Sequence, residues 1–277
     1  MLVGRDRETA ALTALLDAAR AGRGGVLNLV GEPGIGKSTL LAAVREAAAD
    51  FTVVGTTGVE AHGGLTYAGL LDVLGPLRSH LSDLTGDRRV AVTTALGWGP
   101  EPGDQGEGDR RFLVAAATMS ILALAAARRP VLVVVDDLPW VDPGSVAALT
   151  FAARRLPHDP VAFVFAGRET PDAQLAGAGV TLHLEGLAPA DAQRLLGGSV
   201  GAVVVDRLVR LTDGNPLAIS ELARSLTDEQ RRGSAPLPPA LPLGDRLANG
   251  FGRLLDGLGD AGRRAVLIAA ACTESAS

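Results

Sequence analysis

The stretch that decides the fold reads "VLNLVGEPGIGKSTLL" and covers residues 26–41. A short, mostly apolar run over residues 26–30 precedes a glycine-rich segment, and helix formers dominate residues 39–49. The central segment, residues 31–38, matches the pattern G-x-x-x-x-G-K-[S/T] of phosphate-binding loops. The order strand, loop, helix is the context that this pattern requires. We call residues 31–38 the phosphate loop.

The phosphate loop predicts a nucleotide site. Its glycines let the backbone N–H groups point at phosphate oxygens, and the N-terminus of the following helix adds partial positive charge. Lys37 is expected to reach the β- and γ-phosphates of ATP or ADP, and the Ser38 hydroxyl to hold Mg²⁺. The alternative is a glycine-rich turn without a ligand. The nucleotide contacts predicted from this part of the chain are Pro33, Gly34, Ile35, Gly36, Lys37, Ser38 and Thr39.

Lys37 is also the only lysine in the 277-residue chain, in which the other long basic side chains are arginines. Arginine substitutes for lysine over most of a protein surface, but its planar guanidinium is bulkier than an ammonium. Phosphates inside a tight backbone loop need the compact ammonium. The position of the one lysine therefore supports the phosphate site independently of the glycines.

The second element of the sequence is acidic and reads "VLVVVDDLPWVD", residues 131–142. Five apolar residues, typical of a strand buried on both faces, lead directly to Asp136 and Asp137. We expect Asp136 to be the Mg²⁺ partner through water, because Mg²⁺ keeps most of its hydration. Asp137 is then placed to orient or deprotonate an attacking water. The alternative is that both acids cap a turn or helix after the strand.

A third element, "FVFAGRE" over residues 163–169, places Arg168 after another buried strand. Open α/β sheets bind ligands beyond the carboxyl ends of their strands. We therefore expect Arg168 to contact the γ-phosphate and to complete a catalytic set with Lys37 and Asp137. A surface ion pair with Glu169 or a neighbouring residue is the alternative.

Strand-like runs alternate with helical patterns as far as Gly186, which predicts an α/β P-loop NTPase domain of three layers with a parallel sheet. Beyond it only helical patterns occur, followed by a proline-rich stretch. We predict a nucleotide-binding domain over 1–186, a helical lid over 187–226, a linker over 227–243 and a further helical segment over 244–277. The predicted helices are 6–21, 39–49, 67–80, 110–129, 143–155, 190–196, 203–211, 216–225 and 245–271, the predicted strands are 26–30, 51–54, 131–135, 161–166 and 181–184, and an acid-rich exposed loop is predicted over 97–108.

Composition excludes several classes of protein. The net charge is −5 and the arginine pairs are scattered, whereas a duplex-binding surface needs clustered basic charge. We expect no direct nucleic-acid binding by this chain. Cys272 is the only cysteine, so no disulfide forms within the chain. No leader and no apolar run near 18 residues is present, and we expect a soluble cytoplasmic protein without a membrane contact.

Two further stretches, "LVGRDRE" over residues 2–8 and "LTDGNPLAISEL" over residues 211–222, complete a recognisable order of motifs. With the three elements above, the chain resembles the signal-transducing P-loop ATPases called STAND proteins. More narrowly, residues 2–271 resemble the amino-terminal ATPase region of the large ATP-binding LuxR-type transcriptional regulators of actinobacteria.

The resemblance implies roles for individual residues. Val3, Gly4 and Arg5 match a motif that packs near adenine and ribose. Pro216 matches the proline of the helical lid that lies against the base, and Arg168 matches an arginine that senses the terminal phosphate. Residues 244–277 look like the start of an incomplete winged-helix domain. Trp140 and Asp142 also match the family pattern, but Trp140 is expected only to pack.

The resemblance also implies how the protein works. ADP is held in the resting form, and exchange for ATP permits self-association. The C-terminal sensor and DNA-binding domains of such regulators are expected in a full-length protein and are missing from this chain. We therefore expect a regulatory switch with weak ATPase activity. The alternatives are a P-loop kinase for a small molecule, an AAA-type motor, and a nucleotide-binding interaction module without hydrolysis.

Overall fold

A computed structural model describes residues 2–59, 66–84, 86–99, 107–169, 175 and 177–237. Contacts divide the chain into two units. The first contains the residues up to Glu32 together with Gly36–Leu184, and the second contains Pro33–Ile35 and the residues from Glu185 onward. The predicted segment 244–277, residues 238–243 of the predicted linker and residues 100–106 of the predicted loop lie outside the described residues. The predicted domain boundaries therefore stay predictions.

The first unit is built on a five-stranded parallel sheet with strand order β2-β3-β4-β1-β5, which confirms the predicted fold class. Three of the four connections between consecutive strands contain described helices or helical turns, as parallel strands require. The strands are β1 Gly25–Val30, β2 Thr52–Thr57, β3 Val131–Asp136, β4 Val161–Gly167 and β5 Val180–His183. The helices of this unit are α1 Asp6–Arg20, α2 Lys37–Ala47, α3 Ala68–Leu74, α4 Gly86–Ala95, α5 Glu107–Ala126 and α6 Pro143–Ala153, with 3-10 segments at Gly75–Asp83 and Leu138–Trp140.

The core lies on the inner strands of the sheet, above all on β3 and β4. All seven residues of β4 are buried, as are the first five of β3. Helices on both faces of the sheet exclude water from these strands, which is why their sequences are continuously apolar rather than alternating. In register, Val30 of β1 lies beside Gly167 of β4, and Thr57 of β2 lies beside Asp136 of β3. The carboxyl ends of these four strands therefore meet at one edge.

Three local predictions were wrong. The predicted helix 67–80 is the short α3 followed by a 3-10 segment, because Pro76 lacks the N–H that would continue α-helical bonding. Helix α4 was not predicted, since its glycine, threonines and valines are weak helix formers and only Ala91 and Val92 are buried. Within the predicted linker, Asp228–Arg232 is helical and begins with a capping box between Thr227 and Gln230.

The second unit is helical in its described part, as predicted for the segment after the sheet. Its helices are α7 Pro189–Leu195, α8 Ala202–Thr212, α9 Pro216–Ser225 and α10 Asp228–Arg232. They share a core that includes Ala192, Val205, Leu208, Ile219 and Leu222. In the part of the chain described, no helix has the length and apolar character needed to cross a membrane.

Candidate functional site

The phosphate loop has a backbone that only glycine adopts readily. Gly34 and Gly36 have φ angles of 80° and 106°, in the left-handed region that L side chains rarely occupy. A Cβ at Gly36 would meet no atom within 4 Å, so conformation rather than space requires glycine there. Helix α2 begins at the next residue, Lys37. The loop therefore passes directly into a helix N-terminus, which favours negatively charged ligands.

Lys37 is buried, with 7% of its surface exposed. Its Nζ donates hydrogen bonds to the carbonyl oxygens of Gly31 at 2.6 Å and Glu32 at 3.0 Å. The lysine therefore lies along its own loop rather than in solvent. Both acceptors are neutral carbonyl groups, and among the described residues no carboxylate forms an ion pair with Nζ.

The pKa of Lys37 shows which charges lie around it. Burial lowers this pKa, because removal from water penalises the ammonium, while the negative charges of Asp137 and Asp136 oppose the shift. The positive charge of Arg168 lowers the same pKa further, and the negative charge of Glu32 raises it. The side chains predicted from three separate sequence elements thus act electrostatically on one ammonium.

Ser38 and Asp136 are in direct contact. The Ser38 hydroxyl donates to Oδ2 of Asp136 at 2.9 Å, and Oδ1 of Asp136 accepts the backbone N–H of Asp137 at 2.9 Å. A hydroxyl beside a carboxylate supplies the oxygen ligands that Mg²⁺ prefers, so the pair fits this ion. Among the described residues no three His, Cys, Asp or Glu side chains form a metal cluster. Mg²⁺ held here would take its other ligands from phosphate and water.

Asp137 and Arg168 follow the ends of β3 and β4. Asp137 has a φ of 48°, unusual for a residue with a side chain, and it precedes the 3-10 segment Leu138–Trp140. Such backbone strain concentrates at functional sites. Arg168 is half-buried, and within the described part of the chain it forms no ion pair with Glu169. The role of Arg168 at the γ-phosphate stays a prediction.

The residues predicted to lie near the base belong to two different units. In the first unit, Val3 and Arg5 are buried, Gly4 has a φ of 63°, and Nη1 of Arg5 lies 3.8 Å from Oε1 of Glu8. Thr39 is exposed on the first turn of α2. Pro216, in the second unit, is the first residue of α9. Their roles at the nucleotide stay predictions.

Asn215 is a residue that sequence reasoning missed. Its Oδ1 caps α9 by accepting the N–H groups of Leu217 and Ala218, while its Nδ2 donates to the Pro33 carbonyl at 2.9 Å. The Leu217 N–H also points at the carbonyl of Gly34, at 3.3 Å. These bonds explain why Pro33–Ile35 group with the helical unit. The Asn-Pro pair signals a helix cap, but no local signal marks a bond between residues 182 positions apart.

Asp142 matches the family pattern, but its structural role was not predicted. It is 6% exposed, and its carboxylate accepts four hydrogen bonds. Oδ1 accepts the N–H groups of Tyr67 at 2.8 Å and Ser145 at 2.9 Å. Oδ2 accepts the N–H of Gly69 at 3.1 Å and the hydroxyl of Ser145 at 2.7 Å. The segment from Asp136 to Asp142, which we call the acidic loop, is therefore fixed at both ends.

Comparison with known proteins identifies the first unit. A family model described as "AAA ATPase domain" matches residues 1–164, which is more than half of the chain. No curated protein matches the sequence. The phosphate loop and the acidic loop both lie within the matched residues.

Solved structures share the fold at low identity. Cdc6p from Pyrobaculum aerophilum is 17% identical with a TM-score of 0.52, over 84% of this chain and 64% of that one. Drosophila ORC bound to DNA is 13% identical with a TM-score of 0.48, over 94% and 65%. A STAND protein with a tetratricopeptide repeat sensor from Pyrococcus horikoshii is 20% identical with a TM-score of 0.48, over 94% and 33%. The chain thus spans less than two thirds of the length of each.

Two substitutions of Lys37 test the nucleotide site. We expect Lys37→Ala to abolish nucleotide retention, and Lys37→Arg to weaken ATP binding severely although the charge is kept. The reason is that a planar guanidinium does not fit where Nζ lies 2.6 and 3.0 Å from two loop carbonyls. Titration with a fluorescent ATP analogue measures the affinity. Arg23→Lys at the surface is the matched control, and wild-type affinity in Lys37→Arg would contradict the assignment.

The lowered pKa of Lys37 predicts opposite pH trends for binding and stability. As pH rises from about 7 to 10, the ammonium is lost earlier than in an exposed lysine, so affinity for ATP falls. Stability of the nucleotide-free protein rises over the same range, because the unfolded chain still binds the proton. Urea unfolding and ATP titration measure the two slopes. Lys37→Met should remove the part of the pH dependence of stability that Lys37 contributes. An ATP affinity that does not change with pH would refute the prediction.

Proposed function

This chain belongs to the AAA ATPase domain family, and from that premise we propose that it is an ATP- and ADP-binding regulatory switch with slow ATP hydrolysis. Within that proposal it is the nucleotide-binding module of a LuxR-type transcriptional regulator. The observation that carries it is the convergence of Asp136, Asp137 and Arg168 on the buried ammonium of Lys37. These residues provide a cation that can bind phosphate and carboxylates that can orient and deprotonate a water molecule.

In this proposal the phosphate loop binds the nucleotide through its N–H groups, and Lys37 turns from its two carbonyl acceptors to the β- and γ-phosphates. Ser38 and Asp136 hold Mg²⁺, which supplies charge neutralisation on the phosphates when bound. Val3, Gly4 and Arg5 lie near adenine and ribose, and Pro216 lies against the base.

Hydrolysis in this site needs a base and a charge-stabilising cation. The Asp137 carboxylate orients a water and accepts its proton while the water oxygen attacks the γ-phosphorus. The bond from that phosphorus to the β–γ bridging oxygen breaks, which leaves ADP and inorganic phosphate. Arg168 and Lys37 stabilise the negative charge that develops on the transferred group. Arg168 is the one arginine assigned to the reaction, and we therefore expect slow turnover.

A switch needs a contact that exists in only one nucleotide state. Lys37 and Arg168 contact the γ-phosphate when ATP is bound, and this contact is absent when ADP is bound. The Asn215 amide bonds the Pro33 carbonyl, so a change in the loop backbone acts directly on the start of α9. In the full-length protein we propose that this change permits self-association and is passed to C-terminal sensor and DNA-binding domains. The net charge of −5 argues against DNA binding by this chain itself.

The nucleotide that the purified chain carries tests the switch. We expect tightly held ADP, because a resting switch retains its product rather than releasing it. Denaturing the protein and identifying the released nucleotide by chromatography gives the answer. A site without nucleotide that turns over ATP only when a small acceptor is added would favour a kinase instead. Bound ATP that is never hydrolysed would favour an interaction module.

Asp137→Asn separates hydrolysis from binding. We expect ATP affinity close to wild type but hydrolysis slower by at least about 100-fold, the usual contribution of a general base. Phosphate release and ATP titration provide the two measurements. Asp87→Asn, an exposed acid on α4, is the matched control. Equal loss of binding and hydrolysis would show that Asp137 positions the nucleotide instead.

A further inference from the structure

A cavity of about 570 Å³ lies in the first unit, between α5, α6 and the residues that lead into α3. None of its described lining residues belongs to the phosphate loop, and neither Asp137 nor Arg168 contributes to it. Its volume falls within the range of about 300–1,000 Å³ that small-molecule sites occupy. The cavity is therefore of ligand size and separate from the candidate nucleotide site.

The walls of the cavity are aromatic and aliphatic. Phe112 of α5 and Phe151 of α6 meet edge to face with ring centroids 5.8 Å apart, and Tyr67 and two alanines of α6, Ala147 and Ala148, contribute further apolar surface. Phe112 is 58% exposed, although it is a large apolar side chain. An exposed aromatic ring beside a cavity provides the stacking surface that a planar ligand needs.

The rim of the cavity is positively charged. Arg154 and Arg155 at the end of α6 both line it and are exposed. Arg155 is held by Phe151, since its Cζ lies 3.7 Å from the ring centroid. The one acid among the described lining residues, Asp142, already accepts four hydrogen bonds and is buried. Among the described lining residues, Arg154 and Arg155 therefore have no carboxylate beside them that is available to pair.

We propose that this cavity is a second ligand site, which binds a small organic anion with an aromatic body and a carboxylate. The ring would lie against the exposed Phe112, and the carboxylate would be bound by Arg154 and Arg155. Guanidinium groups bind carboxylates through paired, charge-assisted hydrogen bonds, which favour this group over a neutral amide. The proposal does not depend on the assigned switch function, because the binding itself involves no nucleotide.

The position of the site links it to the acidic loop. Tyr67, which lines the cavity, has a φ of 65°, and its N–H is held by Asp142 at 2.8 Å. Asp142 ends the segment that begins with Asp136 and Asp137. A ligand that shifts Tyr67 therefore acts on a residue that is hydrogen-bonded to this segment.

The test uses the full 277-residue chain and two matched probes, 2-naphthoate and its neutral isostere 2-naphthamide. Isothermal titration and ligand-observed NMR measure both affinities. We expect naphthoate to bind about tenfold more tightly than naphthamide, as one charge-assisted contact predicts. Arg154→Gln with Arg155→Gln should remove that preference, whereas Phe112→Ala should weaken both probes.

Two control variants define the site. Arg89→Gln removes an exposed arginine from α4 and should leave naphthoate binding unchanged. Lys37→Ala should also leave it unchanged, which separates this site from the nucleotide site. Thermal unfolding confirms that each variant is folded. The proposal is overturned if the two probes bind with equal affinity, or if naphthoate still binds after both arginines are replaced. Arg154 and Arg155 would then only stabilise the C-terminus of α6.

Discussion

The parallel arrangement of the sheet is the constraint on which the rest of the first unit depends. Parallel strands bring all their carboxyl ends to one edge, and here Val30 lies beside Gly167 while Thr57 lies beside Asp136. The loops that follow β1, β3 and β4 must therefore leave the core at the same edge. This common edge is why a lysine, two aspartates and an arginine that are far apart in sequence become neighbours. The apolar strands between them keep that edge rigid.

Asp142 and Lys37 are two buried charged side chains of this unit, and they differ in how far hydrogen bonds compensate their charge. Asp142 accepts four hydrogen bonds from Tyr67, Gly69 and Ser145, so its charge is fully compensated and its position is fixed. Lys37 has only two carbonyl acceptors, and burial lowers its pKa. A fully compensated charge stabilises structure, whereas a partly compensated one gains from meeting an anion. The contrast separates a residue that holds the loop from one that is available to a ligand.

Much of this arrangement could be predicted because its signals are local. The strands β3 and β4 are short apolar runs, and the pattern of residues 31–38 specifies both a loop and its neighbours. The bonds of Asn215 with Pro33 and of Asp142 with Tyr67 could not be predicted, since they join residues 182 and 75 positions apart. A sequence pattern identifies Asn215 and Asp142 as helix caps, but tertiary structure alone decides what else their side chains bind.

Local signals also fail where burial is small. Helix α4 has two buried residues and few strong helix formers, so neither periodicity nor propensity marks it. The cavity beside α5 and α6 is another example, because its aromatic rings and arginines come from three separate parts of the chain. Such a site forms only when the helices pack together, and no sequence motif predicts it.

The single lysine has a consequence for covalent chemistry. An amine-directed reagent finds one side-chain target in this chain, and that target is the buried Nζ of Lys37. A lowered pKa increases the fraction of neutral, nucleophilic amine near neutral pH, while burial restricts attack to small reagents. Lys37 is thus a natural reporter group, whose acylation follows the accessibility of the phosphate loop without labelling any other lysine.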